Sequence, residues 1–145
     1  YSLVRLPDQP MMPRLYDERV GFFNSQRADF GTREQRVARL TYAHRWRLEC
    51  SDRKEGNLCV PKKPITYYVD PATPTWLVPF IKAGIEEWQA AFEAAGFKHG
   101  IVAREVPRDS IGIVQGEDAS VSMVRWLPSA TENAVGPSTV DPRSG

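Results

Sequence analysis

The clearest pattern of hydrophobic and polar positions in the chain is a strand followed by a long amphipathic helix. The segment "ITYYVD", residues 65–70, is rich in β-branched and aromatic residues and lies between Pro64 and Pro71, which predicts a strand. After it, Thr73 or Thr75 can cap a helix, and apolar residues recur at intervals of three or four. This spacing predicts one helix, Thr75–Ala95.

The two sides of the predicted helix differ in polarity. The apolar stripe that we expect to pack on a sheet consists of Leu77, Ile81, Ile85, Trp88 and Phe92. Trp88 is expected to be buried at the centre of this stripe. The side expected to face solvent carries Lys82, Glu86, Gln89 and Glu93. Gly96 follows the last apolar turn and is expected to end the helix in the left-handed conformation.

Shorter patterns predict the other elements. Strands are expected at "RVGFF", "GIVAREV" and "VSMVRWLP", and the polar segment "PRDSIGIVQGEDAS" is expected to be a surface loop. The segment "LTYAHRWRLEC" is expected to be a half-buried strand or to form a strand pair with the segment before it. The final stretch "ENAVGPSTVDPRSG" ends in a turn signature, so Asn133–Val140 is predicted to be the first arm of a hairpin at a sheet edge. These patterns predict an α+β fold with one mixed, twisted sheet and one long helix packed on a face.

Length and charge limit the class of protein. A chain of 145 residues with 41% apolar residues can bury a core, and no apolar run has the length of a membrane span or signal peptide. Residues 1–63 carry a net charge of +5 and residues 64–145 carry −4, and the sequence pI is about 8.0. A compact basic face is absent from the pattern, which argues against nucleic-acid binding. Both ends look cut, so we expect a longer parent protein.

Cysteine and histidine give few candidates for chemistry. Cys50 and Cys59 flank a polar, turn-forming segment, which in an exported protein suits a disulfide that closes a hairpin. The alternative is a pair of free thiols in a cytosolic protein. His44 lies in an alternating apolar pattern and is interpreted as a packed, hydrogen-bonded residue rather than a metal ligand. His99 follows the helix and is expected to be exposed. With two cysteines, two histidines and no ligand spacing, a structural zinc site is not predicted.

Six stretches of the sequence resemble successive blocks of one bacterial group. They are "MMPRLYDERVGFF", "HRWRLE", "PKKPITYYVDPATP", "GIEEWQAAFEAAGFK", "VRWLPS" and "GPSTVDPRSG", in that order. The group is the large, exported, predicted zinc-dependent metallopeptidases, whose catalytic domain carries an HExxHxxGxxH-type motif. The order of the predicted elements also resembles the N-terminal subdomain of metzincin-like enzymes. Residues 64–145 would be that subdomain, and residues 1–63 a lead or the end of a preceding domain.

The resemblance implies a substrate role and no catalytic residue. In the family, the zinc-binding helix follows the hairpin that begins at "DPRSG", and this chain contains no H-E-x-x-H. Zinc is therefore expected in the parent protein only, with localisation in the periplasm, at the outer membrane or outside the cell. The sheet edge of such enzymes pairs with an extended peptide substrate. The corresponding residues here are Ala134, Val135, Gly136, Pro137 and Ser138.

Two functional interpretations stay open at this point. The first is the N-terminal part of a zinc-dependent metallopeptidase, inactive by itself. The second is a non-catalytic module that binds a peptide or partner through the same sheet edge. Self-association through the unpaired last strand is also expected, because an open strand offers free main-chain donors and acceptors.

Overall fold

The computed structural model describes residues 3–107 and 118–145 and shows a small α+β protein. Most of the predicted surface loop, residues 108–117, lies outside the described residues. The described elements, in chain order, are β1 (Asn24–Asp29), β2 (Ala38–Ala43), β3 (Cys50–Glu55), β4 (Leu58–Pro61), β5 (Ile65–Val69), α1 (Val78–Glu86), α2 (Gln89–Ala94), β6 (Ile101–Glu105) and β7 (Ser122–Val124).

The predicted single mixed sheet is wrong, because the described strands form three separate sheets. β1 pairs with β2 and β3 pairs with β4, both antiparallel, whereas β5 lies between β6 and β7 in an all-parallel sheet. Parallel neighbours need a long crossover connection, and residues 70–100 supply it with α1 and α2.

The core of the parallel sheet is made by β-branched and small side chains at its strand positions. The buried residues of this region are Ile65, Val69, Ile101, Ala103 and Val106. Val69 is 2% exposed and is among the most completely buried side chains of the described residues. The prediction of strands at "ITYYVD" and "GIVAREV" is confirmed, and the segment "VSMVRWLP" contributes the three residues of β7.

The helix differs from the prediction in its continuity and in its faces. It consists of α1 and α2 with a bend at Glu87 and Trp88, and Gly96 ends it at a φ of 95°, as predicted. Trp88 is 63% exposed, so its predicted burial is wrong. Leu77, Ile81, Ile85 and Phe92 are half-buried and make the packed face without it.

The helix side that was expected to face solvent is in part turned to β6. The Gln89 side-chain amide donates to the main-chain oxygen of Ile101, and Glu86 Oε1 accepts from the amide of Ala103 at 3.4 Å. Lys82 Nζ lies 3.1 Å from Glu105 Oε1. Three of the four residues predicted to be solvated therefore bond to β6, and of these Glu86 remains exposed.

A disulfide closes the β3–β4 hairpin. Cys50 and Cys59 are bonded, and Gly56 turns the hairpin at a φ of 61°, a conformation that glycine adopts without steric cost. The hairpin is tied to the helix end, because the Cys59 amide donates to the Gly96 oxygen at 2.9 Å and the Lys98 amide donates to the Cys59 oxygen at 2.8 Å. The buried Cys59 is thus fixed by covalent and main-chain bonds together.

The chain divides into two compact units that interleave in sequence. The larger unit contains Leu48–Ala134 with the first residues of the chain, and the interleaved unit contains Arg5–Arg47 with Val135–Gly145. The assignment of residues 1–63 and 64–145 to different parts of the parent protein stays a prediction. The β3–β4 hairpin lies in the larger unit, and the last residues of the chain lie in the interleaved unit.

The interleaved unit is built on the β1–β2 pair. Its buried residues include Tyr42 and Ala43 of β2. The predicted strand at "RVGFF" is wrong: residues 19–23 are exposed and outside the strands, and the polar segment Asn24–Asp29 forms β1 instead. The predicted long strand over residues 40–50 is interrupted, since β2 ends at Ala43 and β3 begins at Cys50.

Arginine side chains hold the irregular lead of this unit. Arg143 Nη2 donates to the Pro7 oxygen at 2.7 Å, Arg47 Nη1 donates to the Gln9 oxygen at 2.8 Å, and Arg45 donates to the Met12 oxygen. A guanidinium offers several donors at once, which suits it to satisfy carbonyls of a segment without secondary structure. Part of the arginine content of the first residues therefore has a structural use within the unit.

The terminal turn, Asp141–Gly145, is packed and hydrogen-bonded within the interleaved unit. The Asp141 oxygen accepts from the amides of Ser144 and Gly145 at 3.1 and 2.9 Å, and Ser144 is 1% exposed. Arg143 donates to the Asp141 carboxylate at 2.7–3.2 Å, and this bond holds the pKa of Asp141 below its usual value. The sequence signature for a turn is confirmed.

Replacing Gly145 with alanine is expected to destabilise the interleaved unit by about 1–2 kcal/mol, the cost of a left-handed conformation for an L-residue. Gly145 has a φ of 86°, and an added Cβ would lie 2.4 Å from the Ala43 oxygen. Amide exchange of β2 measures the effect. Gly136→Ala is the control, since a Cβ there meets nothing within 4 Å. Equal exchange in the two variants would contradict the docking of the terminal turn.

Candidate functional site

The predicted substrate-contacting segment is exposed and is not a strand. Residues 133–139 lie outside every strand and are exposed, so the assignment of Asn133–Val140 as an edge strand is wrong for this chain. Val135 is 77% exposed, and a Cβ added at Gly136 would meet nothing within 4 Å. The segment has the accessibility that a peptide contact requires, whereas its role in substrate binding stays a prediction.

The five predicted residues are also divided between the two units. Ala134 is the last residue of the larger unit, and Val135, Gly136, Pro137 and Ser138 belong to the interleaved unit. The segment thus connects β7 on its N-terminal side with the packed turn Asp141–Gly145 on its C-terminal side.

The two outer edges of the parallel sheet, on β6 and on β7, differ in whether other residues bond to them. In a parallel ladder the amide and carbonyl of one residue point to the same neighbour, and successive residues alternate. On β6, Ile101 and Ala103 point away from β5, and Gln89 and Glu86 bond to them. This edge is therefore covered by helix side chains, one of the ways in which proteins protect a sheet edge.

The outer edge of β7 has no paired strand among the described residues. The Asp70 amide donates to the Val124 oxygen at 3.0 Å, so Val124 faces β5 and, by alternation, the main chain of Met123 faces away from it. Sequence reasoning identified the alternation of this segment and missed which residue presents free main-chain groups. The orientation of the Met123 main chain depends on how β7 pairs with β5, and the sequence of β7 alone does not determine this pairing.

Polar side chains gather where β5 and β7 end. Arg125 Nε lies 3.5 Å from Asp70 Oδ2, and Asp70 Oδ1 also accepts from the amide of Ala72 at 2.9 Å. Thr73 is 5% exposed, and its hydroxyl has no hydrogen-bond partner in the described part of the chain. The carboxyl ends of parallel strands are common ligand sites. Here the polar groups are used mainly to close the turn after β5.

The histidines do not form a chemical site with each other. His44 is half-buried, and its Nε2 lies 2.7 Å from Ser25 Oγ, in agreement with the packed, hydrogen-bonded interpretation. His99 is exposed, and its Nε2 lies 3.3 Å from Glu55 Oε2. Beside it, the Glu93 carboxylate, 2.6 Å from Lys98 Nζ, raises the pKa of Lys98. This cluster links the hairpin to the end of α2.

A metal site is not present where the structure describes the chain, and the surface cleft found there is small. Within residues 3–107 and 118–145, no group of three or more His, Cys, Asp or Glu side chains could hold a metal ion, so these residues do not fit zinc. A surface cleft of about 130 Å³ lies beside the β1–β2 connection, lined in part by Asp29, Phe30 and Val37. This volume is below the roughly 300 Å³ at which ligand pockets usually begin.

Comparison with known proteins gives a partial family match. The family described as a domain of unknown function, DUF5117, matches residues 1–51. These residues include β1, β2 and the lead held by arginines, and they end at the start of β3. No curated protein and no solved structure matches the chain. No described helix has the length and apolar character needed to cross a membrane.

Proposed function

We propose that this chain is the N-terminal part of the catalytic domain of a zinc-dependent metallopeptidase. The observation that carries the proposal is the set of six sequence blocks, from "MMPRLYDERVGFF" to "GPSTVDPRSG", that resemble this family in order. The succession β5, α1, α2, β6, β7 supports it, because the N-terminal subdomain of metzincin-like enzymes, which the chain resembles, has its strands and helix in the same order before the segment that corresponds to Asn133–Val140. The chain supplies a scaffold and substrate contacts, and the zinc ligands come from elsewhere in the parent protein.

The chemistry of the proposed substrate contact is strand addition. An extended peptide bonds to free amides and carbonyls of a strand, which gives affinity without a strict sequence requirement. Residues 134–138 are exposed and their main chain is accessible, and Pro137 removes one donor, as is common at sheet edges. In the parent protein we expect this segment to become a strand when a neighbouring strand pairs with it.

Export is part of the proposal. The disulfide between Cys50 and Cys59 supports it, because such bonds persist in oxidising compartments and are rare in the cytosol. The proposed location is the periplasm, the outer membrane or the outside of the cell.

The proposed function is tested with the parent protein, in which this chain is followed by its natural continuation. We expect one zinc ion per parent chain and zinc-dependent hydrolysis of an unstructured protein such as casein. The isolated chain of 145 residues is expected to hold no stoichiometric zinc and to cleave nothing. A continuation without an H-E-x-x-H sequence, or a parent protein without hydrolytic activity in the presence of zinc, would refute the peptidase assignment.

The substrate contact is tested in the active parent protein by proline substitution. Val135→Pro removes a main-chain donor from the proposed contact, and we expect KM for a peptide substrate to rise while zinc content is unchanged. Val135→Thr keeps the donor and is the matched control. If both variants behave like the unmodified enzyme, these residues do not align the substrate.

A second candidate is a non-catalytic module that binds an extended peptide or partner at the outer edge of β7. The observation that favours it is the outward orientation of the Met123 main chain. In this case Met123→Pro would abolish binding of an extended peptide by the isolated chain, and Met123→Leu would not. The absence of H-E-x-x-H after Gly145 in the parent sequence, together with this pair of results, would favour the binding module.

A further inference from the structure

The longest stretch of free main chain among the described residues lies between β7 and the terminal turn. Residues 125–139 are exposed and lie outside helices and strands. From residue 126 to residue 140 the main chain makes one hydrogen bond within the described part of the chain, from the Thr131 amide to Ser129 Oγ at 3.1 Å. We call residues 126–140 the open segment. Proteases cut first at such segments, because no structure has to open before the chain enters the active site.

The other exposed segments outside the strands differ from the open segment in their bonds or in their length. In the lead, residues 3–23, main-chain oxygens accept from arginine side chains at Pro7, Gln9 and Met12. The β1–β2 connection, residues 30–37, is short, and strands paired with each other stand at both of its ends. A protease binds its substrate as an extended chain, so bonded carbonyls and a short connection both oppose cleavage. Exposure together with free main chain therefore distinguishes the open segment.

The residue types limit the cleavable part of the open segment to residues 129–136. Pro128 and Pro137 stand at its two ends. A peptide bond before proline lacks the N–H and the free φ that an extended substrate uses, so it resists cleavage. Between the prolines the sequence "SATENAVG" contains no Lys or Arg, and its apolar residues are small. Ala130 and Ala134 suit an endopeptidase with a small specificity pocket, such as an elastase.

We propose that the Ala134–Val135 peptide bond is a proteolytic processing site, cut by an endopeptidase that accepts small apolar residues. The bond before Thr131 is less open, because the Thr131 amide is held by Ser129, whereas the main chain of residues 132–140 has no hydrogen bond within the described part of the chain. The proposed bond also lies where the larger unit ends and the interleaved unit resumes. Hydrolysis adds one water molecule: the C–N bond breaks, and the products carry a carboxylate at Ala134 and an ammonium group at Val135.

The cut removes the covalent link between β7 and the terminal turn and leaves the bonds of both in place. β7 pairs with β5 inside the larger unit. Arg143 bonds to Pro7, and the Arg45 amide donates to the Gly145 oxygen at 3.4 Å, both inside the interleaved unit. A strand paired with residues 134–138 in the parent protein would protect the same bond while it is paired. The inference itself does not rest on the proposed function, because it uses only the exposure, bonding and sequence of the open segment.

Digestion of the folded chain by pancreatic elastase, with mass spectrometry to identify each bond cut, tests the site. We expect the first products to be residues 1–134 and 135–145. The Ala134–Val135 bond should be cut within about tenfold of its rate in a synthetic peptide of residues 126–140, because the folded chain needs little opening. Val135→Pro should slow cleavage of this bond at least about tenfold. Val135→Thr keeps the N–H and the branched side chain and should be cut like the unmodified chain.

A glutamate-specific endopeptidase separates an open segment from mere exposure of a side chain. Glu132 lies in the open segment and Glu34 in the β1–β2 connection, and both are exposed. We expect cleavage after Glu132 first. The proposal is overturned if Glu34 is cut first, if elastase cuts another bond first, if the peptide is cut more than about tenfold faster than the folded chain, or if Val135→Pro and Val135→Thr are cut equally. Far-ultraviolet circular dichroism verifies that each variant is folded before digestion.

Discussion

Replacing Ile65 with alanine is expected to lower the free energy of unfolding of the larger unit by about 2–5 kcal/mol, the range for truncating a buried isoleucine. Ile65 is 4% exposed at the start of the central strand of the parallel sheet. Its truncation leaves a cavity where β5 and β6 meet. Urea unfolding measures the change in stability, and the amide exchange of β5 and β6 locates it.

Trp88→Ala is the matched control for this prediction. A tryptophan in a core would cost as much as Ile65 or more, and the sequence pattern alone places Trp88 in the packed stripe. At 63% exposure the expected change is within about 0.5 kcal/mol, as for other surface positions. Measured below the concentration at which the chain associates, a large loss of stability in Trp88→Ala would show that the helix packs by the face that the sequence predicts.

Removing the disulfide is expected to destabilise the larger unit by about 2–3 kcal/mol, because the bond closes a loop of about ten residues and limits the unfolded chain. The double variant Cys50→Ala, Cys59→Ala measures this in urea. The hairpin also carries the main-chain bonds from Cys59 to Gly96 and Lys98, so protection of these amides should fall with it.

Reduction by dithiothreitol provides the control for the double variant. The reductant should lower the stability of the unmodified chain by a similar amount and leave the double variant unaffected. If the unmodified chain unfolds at the same urea concentration with and without reductant, the bond contributes nothing to the stability of the larger unit.

Local composition was sufficient to predict the strands of the parallel sheet and the positions where chain direction changes. Ile65 and Val69 of β5 and Ile101 of β6 are apolar and β-branched, so their strands could be predicted without knowledge of partners. Gly96 and the turn Asp141–Gly145 depend on backbone preferences of single residues, which are equally local.

The choice of helix face could not be predicted from periodicity. The helix has two apolar sides, one with Leu77 and Ile81 and the other with Phe80. Trp88 is compatible with both sides, because it lies three residues after Ile85 and eight residues after Phe80. The choice is associated with bonds from Glu86 and Gln89 to the edge of β6. Such bonds depend on a strand that follows later in the chain and leave no periodic signal in the helix.

The candidate substrate segment and β1 show a related limit. Residues 24–29 are polar and form a strand because they pair with β2, and residues 133–139, predicted as part of a hairpin arm, remain unpaired. A β-strand is stabilised by its neighbours more than by its own sequence. The residues of a site that forms on a sheet edge can therefore be proposed from a family resemblance, while their conformation depends on the strand beside them.

The interleaving of the two units has a consequence for the order in which the protein acquires its structure during translation. Arg143 bonds to Pro7 across 136 positions, whereas Leu48–Ala134 contains nearly all of the larger unit. A ribosome adds about 5–20 residues per second, so residues 5–47 wait several seconds for the turn that completes their fold. We therefore expect the larger unit to fold first and residues 5–47 to stay accessible to chaperones until residues 135–145 emerge.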